Sequence, residues 1–293
     1  MQSSTSRRTT LRTSKLHDKV VVITGASSGI GRAIARAAGA NGARVALLAR
    51  GEAGLCAVAH EVEALSGESL VLPVDVADAS AVDRAAEEVV AQWGGIDVWV
   101  NNAIVTVYSP ISRMTPEEYR RVIEVDYLGT VHGTLAALRH MRTCDAGTIV
   151  QIGSALGYRS SPFQSAYCAS KAAVRGFTDS LRSELAHERS QIKVTMLQLP
   201  GPQTPRTVTP HSESEVIADA VLYAVEHRSE ELWVGWSTIE AIIGQFLVPR
   251  MPDRYVSEAP ATLPAPSPPR PGAALLMMAR RLLEVWAPQR ALR

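Results

Sequence analysis

The stretch VVVITGASSGIG, residues 20–31, decides the fold. Val20 to Ile23 form a short apolar run ended by Gly25, which reads as a buried strand. Residues 32–40 are rich in alanine and predict a helix stopped by Asn41 and Gly42. The same alternation continues outward. Residues 44–48 predict a strand, 53–65 a helix, 69–74 a strand, 79–93 a helix and 96–100 a fourth strand. Thr115-Pro116-Glu117-Glu118 offers an N-cap, a proline at the first helical position and acids in the first turn. A long helix through Arg139 is expected from there. Strand 148–152, helix 165–187, strand 193–199, helix 213–226 and strand 231–234 follow. Nearly continuous apolar strands between amphipathic helices imply a parallel sheet covered on both faces. The expected class is α/β, a doubly wound parallel sheet in one domain with a C-terminal extension.

Composition narrows the function. The 293 residues are 46% hydrophobic and carry a formal net charge of +1, which excludes wholesale disorder and nucleic-acid binding by bulk charge. Cys56, Cys144 and Cys168 lie too far apart for a zinc knuckle or a disulfide framework, so a reducing, cytoplasmic setting is expected. The seven histidines show no metal-ligand spacing, and no metal is expected. Residues 1–15 read as a disordered basic tail without the apolar core of a secretory signal. Residues 16–250 read as the folded domain, with 236–249 able to cap a pocket. Residues 251–272 read as a proline-rich linker and 273–293 as an amphipathic helix and tail. That helix packs on its own domain or a partner subunit, or rests on a membrane surface. No run of 18 apolar residues predicts a transmembrane helix.

Two motifs carry chemistry. The glycines of Thr24-Gly25-Ala26-Ser27-Ser28-Gly29-Ile30-Gly31 let backbone approach a pyrophosphate, and a helix N-terminus supplies free N–H groups. The other reading is a tight turn without ligand, and the spacing differs from G-x-G-x-x-G. Further on, Tyr167 and Lys171 stand four apart on one helix face. An ammonium beside a phenol favours the phenolate, which predicts a lowered Tyr167 pKa and a general acid/base near neutrality. Ser154 ends a strand at the carboxyl edge of the sheet, where its hydroxyl can enter the crevice. Cys168 reads as a packing residue. Trp233 and Trp236, at the last strand, read as core.

Together these residues resemble the single-domain branch of the short-chain dehydrogenase/reductase family, over about residues 19–234. The resemblance implies a Rossmann-type fold, with Gly25, Ser27, Ser28, Gly29 and Ile30 in the cofactor loop. Asp75 and Val76 look like the pair beside the adenine ring. Asn101-Asn102-Ala103 is similar to the NNAG motif closing the fourth strand, and Pro200-Gly201 to the turn beside the nicotinamide. Ser154, Tyr167 and Lys171 fall on the family's catalytic Ser, Tyr and Lys. The implied roles are proton transfer by Tyr167, stabilisation of the reacting oxygen by Ser154, and binding of the ribose hydroxyls by Lys171.

Two departures stand out. Val125-Asp126-Tyr127-Leu128-Gly129 has Asp126 where the family has an Asn that helps hold a proton-relaying water. An ionised Asp126 accepts hydrogen bonds but cannot donate one, and its charge would favour the Lys171 ammonium. A modified relay is expected. Ile104 stands where the NNAG glycine is usual, and its branched side chain can narrow the nicotinamide pocket. At the end of the second strand, Ala49 takes the place of the acid that marks NAD-specific relatives, and Arg50 follows. A guanidinium suits a 2′-phosphate, so NADP is the expected cofactor, in preference to NAD. The expected activity interconverts a secondary alcohol and a ketone, on a small and apolar substrate whose pocket would include Val105, Val107, Leu156, Ile242 and Phe246. A catalytically silent nucleotide-binding sensor or scaffold is the other reading. A homodimer or homotetramer is expected.

Overall fold

Strand β1 (Val20–Thr24) is buried along its whole length, and its side chains divide between two cores. Val21 and Ile23 point into one, and Val20 and Val22 into the other. That division is why the run lacks polar alternation. The same division between two cores holds for β2 (Arg44–Ala49), β4 (Val98–Asn101), β5 (Thr148–Ser154) and β6 (Lys193–Leu199). With β3 (Glu68–Pro73) and β7 (Glu231–Trp233) they form a seven-stranded sheet in the order β3-β2-β1-β4-β5-β6-β7, every pair parallel. The computed structural model describes residues 16–200, 213–235, 238, 239, 242 and 243. The expectations for residues 1–15, Gly201, Trp236, Phe246, the linker 251–272 and the helix 273–293 fall outside the described residues.

Helices cover both faces. α1 (Gly29–Ala40), α2 (Glu52–Ala64) and α7 (Glu213–His227) contribute buried residues to one core. α3 (Ala79–Trp93), α5 (Gly129–Met141) and α6 (Ser165–His187) contribute to the other. Local chemistry sets their ends. Asp78 caps α3 by accepting from Ala81 N–H at 3.1 Å, and Gly94 stops it in the left-handed region. Thr115 and Glu118 form a reciprocal capping box at the start of α4 (Pro116–Val122).

The long helix expected through Arg139 runs without a break, but not as one regular α-helix. Between α4 and α5 the residues Ile123–Leu128 form a π-helical turn, a feature that often marks a functional site, and Asp126 lies within it. Trp233 is also not a core residue: at the end of the short edge strand β7 it is 38% exposed. Ile242, expected in a pocket wall, is fully buried. Among the described residues no helix is long and apolar enough to cross a membrane.

Candidate active site

The strand order reverses between β1 and β4, and such switch points open a crevice at the carboxyl ends of the strands. Here the crevice measures about 570 Å³ and is lined by the β1–α1 turn, the ends of β2 and β3, the segment after β4, and Arg121 and Val125. Gly25, Ser27, Ser28, Gly29, Ile30, Arg50, Asp75, Val76, Asn102 and Ala103 all line it. Ile104 does too, as an exposed wall residue.

One hydroxyl holds the two sides of this crevice together. Thr24, at the end of β1, accepts from the backbone N–H of Asn102 at 2.9 Å and of Ala103 at 3.0 Å. It donates to the Val100 carbonyl at 3.3 Å. The Asn102 side-chain amide returns a bond to the Thr24 carbonyl at 2.9 Å. Asn101 serves a different purpose: it is buried and bonded to Trp99, Thr134 and Gln151, which pins β4 and β5 to α5.

The β1–α1 turn fits a pyrophosphate. Gly29 has φ of +53°, and a Cβ added there would meet nothing within 4 Å, so the turn opens onto free space. A Cβ on Gly31 would overlap the Gly25 carbonyl, so α1 can begin this close to the strand only with glycine. The Ser28 side chain makes no capping bond, and no acid occupies the first turn of α1. The helix end therefore keeps free N–H groups for an anion.

At the adenosine end, Ala49 is buried and Arg50 exposed. Asp75 accepts from Ala77 N–H at 3.0 Å and pairs with Arg121 at 2.7 Å. Burial alone would raise the Asp75 carboxyl, but these bonds and the charges of Arg121 and Arg50 hold it below its ordinary value. Arg121 carries no sequence signal of its own. It comes from α4, 46 residues away from Asp75, and no local pattern announces the pair.

Ser154, Tyr167 and Lys171 come together where β5 ends beneath α6, and all three are buried. Ser154 is near enough to the Tyr167 phenol to lower its pKa, and it accepts from Leu156 N–H at 3.1 Å. The Lys171 ammonium donates to the Ile152 carbonyl at 2.7 Å and lies 5.6 Å from the centre of the Tyr167 ring. The predicted lowering of the Tyr167 pKa is not what the structure shows. Burial pushes the phenol up to about 12; Ser154 opposes this, while an ionised Asp126 would add to it. Lys171 does not reverse the shift, because burial also pushes its own pKa down. An ionised Asp126 would favour the Lys171 ammonium, but burial outweighs that charge. The phenol therefore holds its proton at neutral pH.

Cys168 is a buried packing residue whose sulfur accepts from Ser161 N–H at 3.4 Å. Pro200 follows directly on β6. Val105, Val107 and Leu156 are half-buried. The turn after Ser154 is tied to β7 by Tyr158, which donates to Glu231 at 2.9 Å, a contact between residues 73 apart in the chain. Among the described residues no group of three or more His, Cys, Asp or Glu is placed to hold a metal ion.

A family model described as short chain dehydrogenase matches residues 19–214. The chain is 32% identical over 272 residues to the uncharacterized oxidoreductase YxnA of Bacillus subtilis, covering 88% of this chain and 76% of that protein. It is 34% identical over 221 residues to the uncharacterized oxidoreductase SERP2049 of Staphylococcus epidermidis, covering 73% and 94%. A solved metagenomic short-chain oxidoreductase in complex with NADP matches with a TM-score of 0.67 at 34% identity, covering 75% of this chain and 97% of that one. An alcohol dehydrogenase from the archaeon Thermococcus sibiricus, complexed with 5-hydroxy-NADP, also gives 0.67, at 28% identity, covering 74% and 96%.

Proposed function

The chain belongs to the short-chain dehydrogenase/reductase family of oxidoreductases, and from that premise we propose that it interconverts a secondary alcohol and a ketone with NADP as cofactor. The observation that carries the reading is the buried Ser154–Tyr167–Lys171 cluster at the end of β5, beside a crevice shaped for a dinucleotide.

In this reading, Gly25 through Ile30 bind the pyrophosphate with backbone N–H groups. Asp75 and Val76 flank the adenine, and Arg50 reaches the 2′-phosphate with charge-assisted bonds. Lys171 binds the nicotinamide ribose hydroxyls, and Asn102, Ala103 and Pro200 form the walls beside the nicotinamide. The cofactor, when bound, supplies or accepts a hydride. Tyr167 donates its phenolic proton to the carbonyl oxygen as charge develops there, and recovers one in the reverse direction. Ser154 hydrogen-bonds the same oxygen. The raised pKa of Tyr167 suits the donor role, since its proton is in place at neutral pH. Val105 and Val107, half-buried near the site, support a substrate with an apolar body.

The NADP preference is supported by the missing acid at Ala49 and by Arg50 on the crevice wall. The proposed assembly is a homodimer or homotetramer, in keeping with Leu128 and Leu135, both exposed near or on α5. The proposed setting is the reducing cytoplasm, in keeping with three unpaired cysteines. The test is NADPH consumption by the purified protein with a panel of aliphatic, alicyclic and aromatic ketones. Consumption with at least one ketone is expected. Tight NADPH binding with no turnover across the panel would favour the silent sensor or scaffold instead.

A further inference from the structure

Asp126 is fully buried in the π-helical turn Ile123–Leu128, and its two carboxyl oxygens do different things. Oδ1 accepts the backbone N–H of Val105 at 2.8 Å, which ties down the segment after β4. Oδ2 lies 3.1 Å from the hydroxyl of Ser170, next to Lys171 on α6. A serine hydroxyl has one proton to give. The Ser170 proton has a nearer acceptor, the Tyr167 carbonyl one turn back, at 2.8 Å. That proton can serve Oδ2 or the Tyr167 carbonyl but not both, so an ionised Asp126 leaves one of the two contacts without a proton. A carboxylate there would set lone pair against lone pair in a site closed to water, an arrangement that buried polar groups avoid.

One proton on Oδ2 satisfies every atom. The acid donates to Ser170, Ser170 donates to the Tyr167 carbonyl, and Oδ1 still accepts from Val105. An asparagine would make the same pattern, with its amide N–H in place of the acid O–H. We propose that Asp126 is held as a neutral carboxylic acid in the folded protein, a positioning residue that clamps the segment after β4 to α6 beside Tyr167 and Lys171. The aspartate thereby takes the place of an amide without bringing a charge into the site.

The groups around it agree with this assignment. From α6, Lys171, which donates to the Ile152 carbonyl, attracts a carboxylate, but burial outweighs that attraction. Tyr167, also on α6, would be made harder to ionise by a charged Asp126. α5 contributes only the Thr130 hydroxyl, bonded to the Asp126 backbone carbonyl at 2.8 Å. The segment after β4 contributes the neutral Val105 amide, and Arg121 of α4 is committed to Asp75. On Asp126's own turn, Glu124 and Tyr127 are half-buried. Burial dominates and raises the Asp126 pKa. The role beside Tyr167 rests on the proposed proton transfer, whereas protonation of Asp126 is read from stability without turnover, so either can fail alone.

The test is urea denaturation of the full chain and of Asp126→Asn across pH about 5 to 8. An aspartate whose folded pKa exceeds its unfolded value of about 3.9 stabilises below that value and loses the contribution as pH rises toward the folded pKa. The wild type should therefore lose ground to Asp126→Asn as pH rises toward the folded pKa, by up to about tenfold in its folding constant per pH unit, and the difference should level off above it. A flat difference, or a wild type that gains on the variant as pH rises, overturns the proposal. Should Asp126→Asn fail to fold, infrared difference spectroscopy of the wild type against Ser170→Ala decides. A protonated carboxyl stretch at neutral pH that moves when Ser170 is lost is expected, and its absence overturns the proposal.

Discussion

Replacing Thr24 with valine removes one hydroxyl and almost no volume. That hydroxyl takes the N–H of Asn102 at 2.9 Å and of Ala103 at 3.0 Å, and it is buried. Valine leaves both donors without it, and each buried unsatisfied group costs about 1–3 kcal/mol. Ala103 is only half-buried, so some of its loss is recovered from water, and a total of about 2–4 kcal/mol is expected. Against a typical domain stability of about 5–15 kcal/mol this is a large fraction. Urea denaturation should show the midpoint falling at constant slope. NADPH affinity, followed by fluorescence, should fall as well, because residues 102–105 line the crevice. Thr24→Ser keeps the hydroxyl and should stay within about 1 kcal/mol of wild type, the scale of a lost methyl group. A Thr24→Val protein within about 0.5 kcal/mol of wild type would refute the reasoning, since that is the scale of an indifferent substitution.

Arg50→Ala should remove the preference for NADP over NAD by costing NADP about 1.5–3 kcal/mol of binding while leaving NAD nearly unchanged; equal affinities in the wild type would contradict the assignment. Spectroscopic titration of the ligand-free protein against Tyr167→Phe should show no Tyr167 phenolate at neutral or mildly alkaline pH, because burial holds the phenol near 12. A phenolate at neutral pH would mean that Lys171 dominates after all.

The elements most legible in the sequence are those whose ends are set locally. Helix α3 begins at its Asp78 cap and stops at Gly94, and both lie in the sequence beside the helix they bound. The strands were legible because burial on both faces leaves an unbroken apolar run, as in β1. The π turn at Ile123–Leu128 was not, because its residues are as compatible with an α-helix as their neighbours and tertiary packing decides. The site divides in the same way. The i, i+4 spacing placed Tyr167 beside Lys171, but spacing says nothing about burial, and burial reversed the expected direction of the Tyr167 shift. Thr24 lay in plain view within the glycine-rich turn, yet its partners are more than seventy residues away. Trp233 was misread because an aromatic in a short edge strand packs against the sheet only if something covers that edge.

The account stands most directly on Tyr167→Phe, with NADPH binding and ketone-dependent NADPH oxidation measured on the same preparation. Phenylalanine keeps the ring in its buried site and removes only the proton that is to be transferred. Binding should be retained, while turnover falls by roughly 10²–10⁴-fold, the usual contribution of a positioned proton-transfer group. A variant that retains more than about a tenth of the wild-type kcat, against that expected loss, would contradict the assignment of Tyr167 as the proton donor.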